Sequence, residues 1–354
     1  MNILAIDIGS YSVKFLDGKI DRKGFSINDY HEVIVSHVRS QLPIDWSLRD
    51  IHSEIVESYI KQNNVDAKIV YQIPSEYTTT RYFELPVNNK KKAEMMIPFQ
   101  LDENLPYPIS SCHYNTTFLK KGNAFSALVN ITQLEHFDSY YNYIKEKKVL
   151  PAVLTSEVSL IQSTLEEEKM NGSYCILDIG HNTTKAYFVH NRRIIANHTS
   201  HIAGKTIDNI ISKTYDISED DAVIYKHDNC FFLTESQYNE VDEDQREFAK
   251  LMKQTMEPLI HDIKRWSLGY RIQHSHSVDK VFITGGTSNI NNISNFISQG
   301  VALPVQHLNL KKASDLNKDE QNSSQLAQMM IVSQKSKIAP ANFLTGDYSS
   351  DFST

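Results

Sequence analysis

Cysteine is scarce in this sequence. Cys112, Cys175 and Cys230 are three in number, far apart, and make no C-x-x-C pair, which argues against a disulfide framework and a zinc site. No stretch approaches the roughly 18 apolar residues of a membrane helix. The opening Asn2-Ile3-Leu4-Ala5-Ile6-Asp7 lacks the basic region and small-residue cleavage site of a secretory signal, so a cytoplasmic chain is expected. Basic blocks are missing too: net charge is −7 with both signs interspersed, and the longest Lys/Arg run is Lys90-Lys91-Lys92. Nucleic acid is therefore not expected as a partner, and that run reads as a solvated helix start. Of the fourteen histidines, His274 with His276 and His198 with His201 lack a third ligand nearby, so no metal cluster is read from them.

What is present fits a globular chain of 354 residues, 40% apolar and 22% charged, long enough for two or more domains. Ile3 to Ile8 form an apolar run ending in Asp7 and Gly9, and Ser12 to Leu16 follow, with Asp17-Gly18 as a turn pair. A third strand is expected around Glu32 to Val35. Ser47 and Asp50 make an S-x-x-D helix start, with Leu48, Ile51, Ile55 and Tyr59 on one face, and Lys68 to Ile73 reads as a strand stopped by Pro74. The order is βββαβ.

The same order returns later. Tyr174 to Gly180 and Thr184 to Val189 read as strands, His190-Asn191-Arg192 as a turn, Arg193 to Ala196 as a strand and Gly204 to Tyr215 as a helix. A long helix carries Phe248, Leu251, Met252, Met256, Leu259, Ile263, Trp266 and Tyr270, with Pro258 as a possible kink. Val281 to Thr284 then enters Gly285-Gly286, followed by a helix at Ile290 to Ile297 and a strand at Leu303 to Val305. Between the two repeats, Thr79 to Val149 form an α+β insert, with strands at Tyr82 to Pro86 and Phe125 to Val129 and helices at Lys90 to Phe99 and Leu134 to Glu146. Lys311 to Ser324 is polar and reads as loop, before a short helix at Gln325 to Val332 and an irregular tail.

A strand ending in Asp, a glycine turn, and a second strand with a basic residue make a phosphate clamp. Gly9 permits close backbone approach, amides and the Ser10 hydroxyl donate to phosphate oxygens, Lys14 neutralises charge, and Asp7 is placed to hold Mg²⁺ through water. One such turn is weak, because D-x-G in a hairpin is common. Asp178, Gly180, His181, Asn182, Thr183, Thr184 and Lys185 repeat it halfway along the chain, with Asp178 as a second water-mediated Mg²⁺ holder. Thr284-Gly285-Gly286-Thr287 after an apolar strand gives a third element, where paired glycines let a base or ribose lie against the backbone.

This ordered set, Asp7-Ile8-Gly9-Ser10, Asp178-Ile179-Gly180 and Gly285-Gly286, resembles the actin, sugar-kinase and chaperone-ATPase superfamily. Within it the chain is similar to the PilM family. That narrower resemblance rests on Asp7 to Lys14, on Arg81 to Pro86 with Met95 to Pro98, and on Ile263 to Tyr270. It implies an α/β, actin-like (ribonuclease H-like), duplicated two-lobe fold with an α+β insert in the first lobe. The implied divisions are 1–78 for the first lobe core, 79–150 for the insert and 151–173 for a return helix; 174–210 with 278–335 for the second lobe core, 211–277 for its subdomain and 336–354 for a tail. It also implies ATP with Mg²⁺ in the cleft, weak or absent hydrolysis, and a cytoplasmic scaffold of a type IV pilus or type II secretion complex at the inner membrane face, whose partner is the short tail of a bitopic protein similar to PilN. Membrane association would then run through that partner.

Two departures stand out. Where the family commonly has Gly-Gly after the second-lobe hairpin, this chain has Ala203-Gly204-Lys205, and His181-Asn182 replaces smaller residues. His181 would crowd a phosphate, while Lys205 would add favourable charge. The segment Ala341 to Tyr348 further resembles the Asn-Leu-Leu segment preceding the membrane helix in L proteins of type II secretion, which leaves as alternatives the soluble part of a longer bitopic protein, a stand-alone relative with its own docking segment, and a disordered tail. The competing enzyme reading, a small-molecule kinase of the same superfamily, needs a base aimed at a substrate hydroxyl, and none is evident. A filament protein like FtsA needs an amphipathic carboxyl end, and Asp347 to Thr354 is polar.

Overall fold

A computed structural model describes residues 1–22, 24–310 and 316–349. The chain falls into two compact units, 1–169 with 326–354, and 170–325. Part of the loop expected from Lys311 and the end of the tail at 350–354 lie outside the described residues.

The first unit opens with strands β1 (Asn2–Ile8), β2 (Ser12–Asp21) and β3 (Gly24–Ile34), short helix α1 (Val35–Arg39), helix α2 (Leu48–Gln62) and strand β4 (Lys68–Gln72). The Ser47 hydroxyl accepts from the Asp50 amide while Asp50 answers the Ser47 amide, so the expected capping box starts α2. Strand β5 (Thr79–Leu85), helix α3 (Lys90–Asn104), strands β6 (Cys112–Lys121) and β7 (Ala124–Gln133), helix α4 (Leu134–Glu146), strand β8 (Val153–Thr155) and helix α5 (Glu157–Glu167) follow. They give a five-stranded sheet in the order β3-β2-β1-β4-β8 and a three-stranded sheet β5-β7-β6. Phe137, Tyr140, Tyr141 and Ile144 of α4 are buried with Leu4, Ile6, Phe15 and Tyr71 of the larger sheet. The smaller sheet has a core of its own, where Ala93, Ile97 and Leu101 of α3 meet Phe83, Leu85, Val129 and Ile131.

The second unit carries strands β9 (Ser173–Ile179), β10 (Thr184–His190) and β11 (Arg193–Ser200), then helices α6 (Gly204–Tyr215), α7 (Glu219–Asn229) and α8 (Glu243–His274). Strand β12 (Lys280–Thr284), helix α9 (Ile293–Val301), strand β13 (Val305–His307) and helix α10 (Lys318–Ser323) complete it. Its sheet order, β11-β10-β9-β12-β13, repeats that of the first unit strand for strand. Met252, Met256, Leu259, Ile263 and Trp266 of α8 share one core with Leu177, Ile179, Ile207, Val281 and Ile283, as the three- and four-residue spacing predicts. Helix α11 (Gln325–Ser333) returns the chain, from Leu326, to the first unit, although the sequence placed residues to 335 with the second lobe.

Three local expectations need correction. Within the loop expected over Lys311 to Ser324, Lys318–Ser323 form α10, because the Asn317 side chain accepts from the Glu320 amide and caps it. Asp17-Gly18 is not a turn: β2 runs through it to Asp21, with a register shift against β3 at that point. A Cβ on Gly18 would lie 2.5 Å from Ile331 Cδ1, so this glycine admits α11. Val35 does not extend the third strand but begins α1.

Candidate functional site

In the first unit β1 and β2 pair antiparallel with Asp7 opposite Lys14, and the Gly9 amide closes the turn on the Ser12 carbonyl at 3.0 Å. Asp7 is buried. Lys14 Nζ lies 3.4 Å from its Oδ2, and Gln72 Nε2, from the neighbouring β4, donates to its Oδ1 at 3.2 Å. The clamp lysine and the magnesium-holding acid expected from the sequence are thus partnered with each other. Behind the turn, the His52 Nε2–H of α2 donates to the Gly9 carbonyl at 3.0 Å, which fixes the tautomer. Burial holds this imidazole neutral, with its pKa down at about 4.

The second unit repeats this geometry. Asp178 stands opposite Lys185 across β9 and β10, and the Gly180 amide donates to the Thr183 carbonyl at 3.0 Å. The Gly180 carbonyl then accepts from the Gly204 amide at 3.1 Å and from the Thr287 hydroxyl at 2.8 Å. One oxygen therefore ties together three elements far apart in sequence: the hairpin turn, the start of α6 and the glycine pair after β12. The fit leaves no room for side chains. A Cβ at Gly204 would meet Thr287 Oγ1 at 2.5 Å, and one at Gly285 would meet Asp178 Oδ1 at 2.3 Å and the Ile179 carbonyl oxygen at 2.6 Å. Gly285 also has φ +86°, a conformation that favours glycine.

Not every candidate faces outward. Thr184 is fully buried and its hydroxyl donates to the Ile202 carbonyl at 2.7 Å, a bond within the fold. Asn182, Lys205 and Gly286 are exposed, and Ser10, His181 and Thr183 are partly so. The Lys205 amide donates to the His181 carbonyl at 2.7 Å, fastening the α6 start to the turn a second time.

Beneath this cluster lies a buried charge pair. Lys226 Nζ of α7 sits 2.7 Å from Asp208 Oδ1 of α6 and 3.5 Å from the Gly204 carbonyl oxygen. Burial pushes the Asp208 carboxyl up, while Lys226 pulls the other way. His181 Nδ1 comes within 3.6 Å of Asp208 Oδ2. Burial, with Lys226, Lys205 and His227 nearby, holds that ring neutral at a pKa of about 4, so the approach is not an ion pair at neutral pH. The sequence did not single out His52, Gln72, Asp208 or Lys226. A signal existed for two of them: Asp208 shares the buried stripe Gly204, Ile207, Ile211 of α6, and Lys226 sits four residues from buried Ala222 on α7. A charged residue at core spacing needs a partner. Among the described residues no three His, Cys, Asp or Glu side chains converge as a metal cluster.

The family model described as type IV pilus assembly protein PilM matches residues 5–333. The chain belongs to this family. Its likeness to a solved chain of a PilM-PilN type IV pilus biogenesis complex has a TM-score of 0.71 at 13% identity, covering 93% of this chain and 97% of that one. The ethanolamine utilization protein EutJ from Carboxydothermus hydrogenoformans has a TM-score of 0.52 at 12% identity, with 94% and 89% covered. MreB 5 of Spiroplasma citri, solved with AMPPNP, also has 0.52 at 12% identity, with 94% and 96% covered. No curated protein sequence matches. At these identities the likeness is one of fold, and the fold of this PilM-family chain is actin-like, with the duplicated sheets described above. The actin-like architecture is as expected, and of the two systems that the sequence left open the family is that of type IV pilus assembly. Among the described residues no helix is long and apolar enough to cross a membrane.

Proposed function

We propose that this chain is a nucleotide-responsive scaffold of the type IV pilus inner-membrane complex. In this reading it binds ATP through its two hairpin turns and the glycine pair, and engages a short tail of a bitopic membrane protein similar to PilN. The observation that carries it is the knot at the Gly180 carbonyl, where Gly204 and Thr287 converge on the turn and leave Asn182, Lys205 and the Gly286 backbone exposed around it. The first unit repeats the acid, glycine and lysine set at Asp7, Gly9 and Lys14, beside Ser10. Mg²⁺ would supply charge compensation for the phosphates, with Asp7 and Asp178 holding it through water. Asp7 suits that outer role because Lys14 and Gln72 already occupy its oxygens. The bound analogue of MreB 5 and the complex formed by PilM with PilN support nucleotide and partner respectively.

The test is heat protection by Mg²⁺-ATP measured beside turnover, for the native chain and for Lys14→Ala. Protection of the native chain without turnover, weakened in Lys14→Ala, is the expected result. Absence of protection would sink nucleotide binding, and rapid hydrolysis dependent on a small-molecule acceptor would favour a kinase.

A further inference from the structure

Helix α3 is apolar on two opposite faces. Ala93, Ile97 and Leu101 point inward and are buried in the core of the smaller sheet. On the outer face Met95 and Phe99 stand 71% and 72% exposed. A surface helix ordinarily gives that face to charged and polar residues. Here charges frame the apolar pair instead: Lys91 and Lys92 precede it, Asp102 and Glu103 follow it, and all four are exposed. These charges oppose their own helix. A helix dipole favours acids at the amino end and cations at the carboxyl end, yet α3 has no acid in its first turn and no base in its last. Lys90 is answered by Glu94 at 3.8 Å. Among the described residues Lys91, Lys92, Asp102 and Glu103 make no ion pair.

The order of these residues makes the face complementary to its own reverse. Lys91 and Asp102 lie about three turns apart along one flank of the Met95 and Phe99 pair, and Lys92 and Glu103 about three turns apart along the other. Laid antiparallel on this face, about a twofold axis level with Ile97, a second α3 sets its Asp102 against Lys91 and its Glu103 against Lys92. Met95 then packs on Phe99 of the second copy. Every contact is made twice, as a twofold interface requires. Each lysine also stands beside the carboxyl end of the neighbouring helix, so charges that oppose their own dipole suit the other one. We propose that this face of α3 is a self-association surface, through which two copies of the chain pair with their α3 helices antiparallel. A helix of 15 residues is about 22 Å long, too short to cover the roughly 800 Å² per partner of a standard interface. The pair is therefore weak in dilute solution, with a Kd on the order of 100 μM, and fills where copies are crowded. It depends neither on nucleotide nor on the membrane partner proposed above.

The experiment is sedimentation equilibrium of the full chain from about 10 to 500 μM at low salt. Wild type should show a monomer–dimer equilibrium that weakens in about 0.5 M salt. Lys91→Glu with Lys92→Glu makes the frame wholly acidic, and Asp102→Lys with Glu103→Lys makes it wholly basic. Each double variant should dimerise roughly tenfold more weakly than wild type. Mixed in equal amounts, the two should associate again at least as tightly as wild type, because every charge then faces its opposite. Should a charge reversal fail to fold, Phe99→Ser at its exposed position carries the test, and should weaken the dimer with the melting point unchanged. Wild type that stays monomeric throughout overturns the proposal, as does a dimer indifferent to these variants or a mixture that stays monomeric. Binding of a monomeric wild type to vesicles containing anionic lipid, lost in Lys91→Glu with Lys92→Glu, would make a lipid surface the occupant and overturn it too.

Discussion

Gly285→Ala isolates what the glycine pair does for the fold. The new methyl would stand 2.3 Å from Asp178 Oδ1 and 2.6 Å from the Ile179 carbonyl oxygen, and one of these neighbours is backbone, which cannot swing aside. Gly285 has φ +86° and ψ 160°, a region essentially reserved for glycine, and holding alanine there costs about 1–3 kcal/mol. Overpacking adds about 1–3 kcal/mol. Together they give roughly 2–6 kcal/mol, which lowers the melting point of a unit this size by on the order of 10 °C. Gly286→Ala is the control, because its methyl meets nothing within 4 Å and should change stability by less than about 0.5 kcal/mol. The two tryptophans are Trp46 and Trp266, and Trp266 lies buried in the second unit's core. Urea unfolding followed by Trp266 fluorescence in a Trp46→Phe background therefore reports that unit alone. Gly286→Ala should keep the midpoint yet lose heat protection by ATP, while Gly285→Ala should lower the midpoint with or without ATP. Coincident midpoints for the two variants would refute the assignment of Gly285 to close packing on Asp178.

Acid should weaken the fold in a defined window. His52 and His181 have folded pKa values lowered to about 4, so the unfolded chain binds protons first and stability present above pH 6.5 is lost as pH falls toward 4. At pH 5 each contributes a loss of about 2 kcal/mol; urea midpoints at pH 7 and 5 check this, and His52→Gln, which keeps a donor for Gly9, should flatten the change. Lys226→Met strands the Asp208 charge and should cost about 3–5 kcal/mol, whereas Lys226→Met with Asp208→Leu should recover most of it by the same unfolding assay. Gly18→Ala should cost about 1–3 kcal/mol by pushing on Ile331, and Ile331→Val, which removes the offending Cδ1, should restore part of the melting point.

What could be read from sequence was what is encoded locally. The Asp-Ile-Gly turns, the Ser47 capping box and the α8 stripe each depend on residues a few positions apart, and the structure forms them where the spacing placed them. Asp17-Gly18 misled because the reason for that glycine is Ile331, more than three hundred positions later. Strand β6 was missed because its alternation is blurred: Cys112 to Thr116 are all half-buried, with β7 on one side only. Helix α7 was missed too: it opens on the acidic Glu219-Asp220-Asp221 and depends on Ser218 as its cap. The tail had equal claims to docking and disorder, since eight residues carry no periodicity; His113, Asn115 and Leu154, which hold Asn342 and Phe343 by hydrogen bonds, lie far away in sequence.

The strands beside the two acids end differently, and this bears on how each turn tolerates change. In the first unit, Gln72 at the end of β4 reaches Asp7, so side chains fix the carboxylate: Lys14 on one oxygen and Gln72 on the other. In the second unit β12 pairs with β9 so that Thr284 lies beside Asp178, but the Thr284 hydroxyl turns away to the Asn322 carbonyl. There the carboxylate packs against the Gly285 backbone. Removing one side-chain hydrogen bond costs about 1 kcal/mol, so Gln72→Ala should loosen Asp7 while leaving the first unit folded. At the second turn the close neighbours of Gly285 include main chain, which a side-chain substitution does not remove. Small changes are therefore tolerated at Gln72, whereas Gly285 admits no side chain against Asp178 and Ile179, and the exposed side chains of the second site are Asn182 and Lys205.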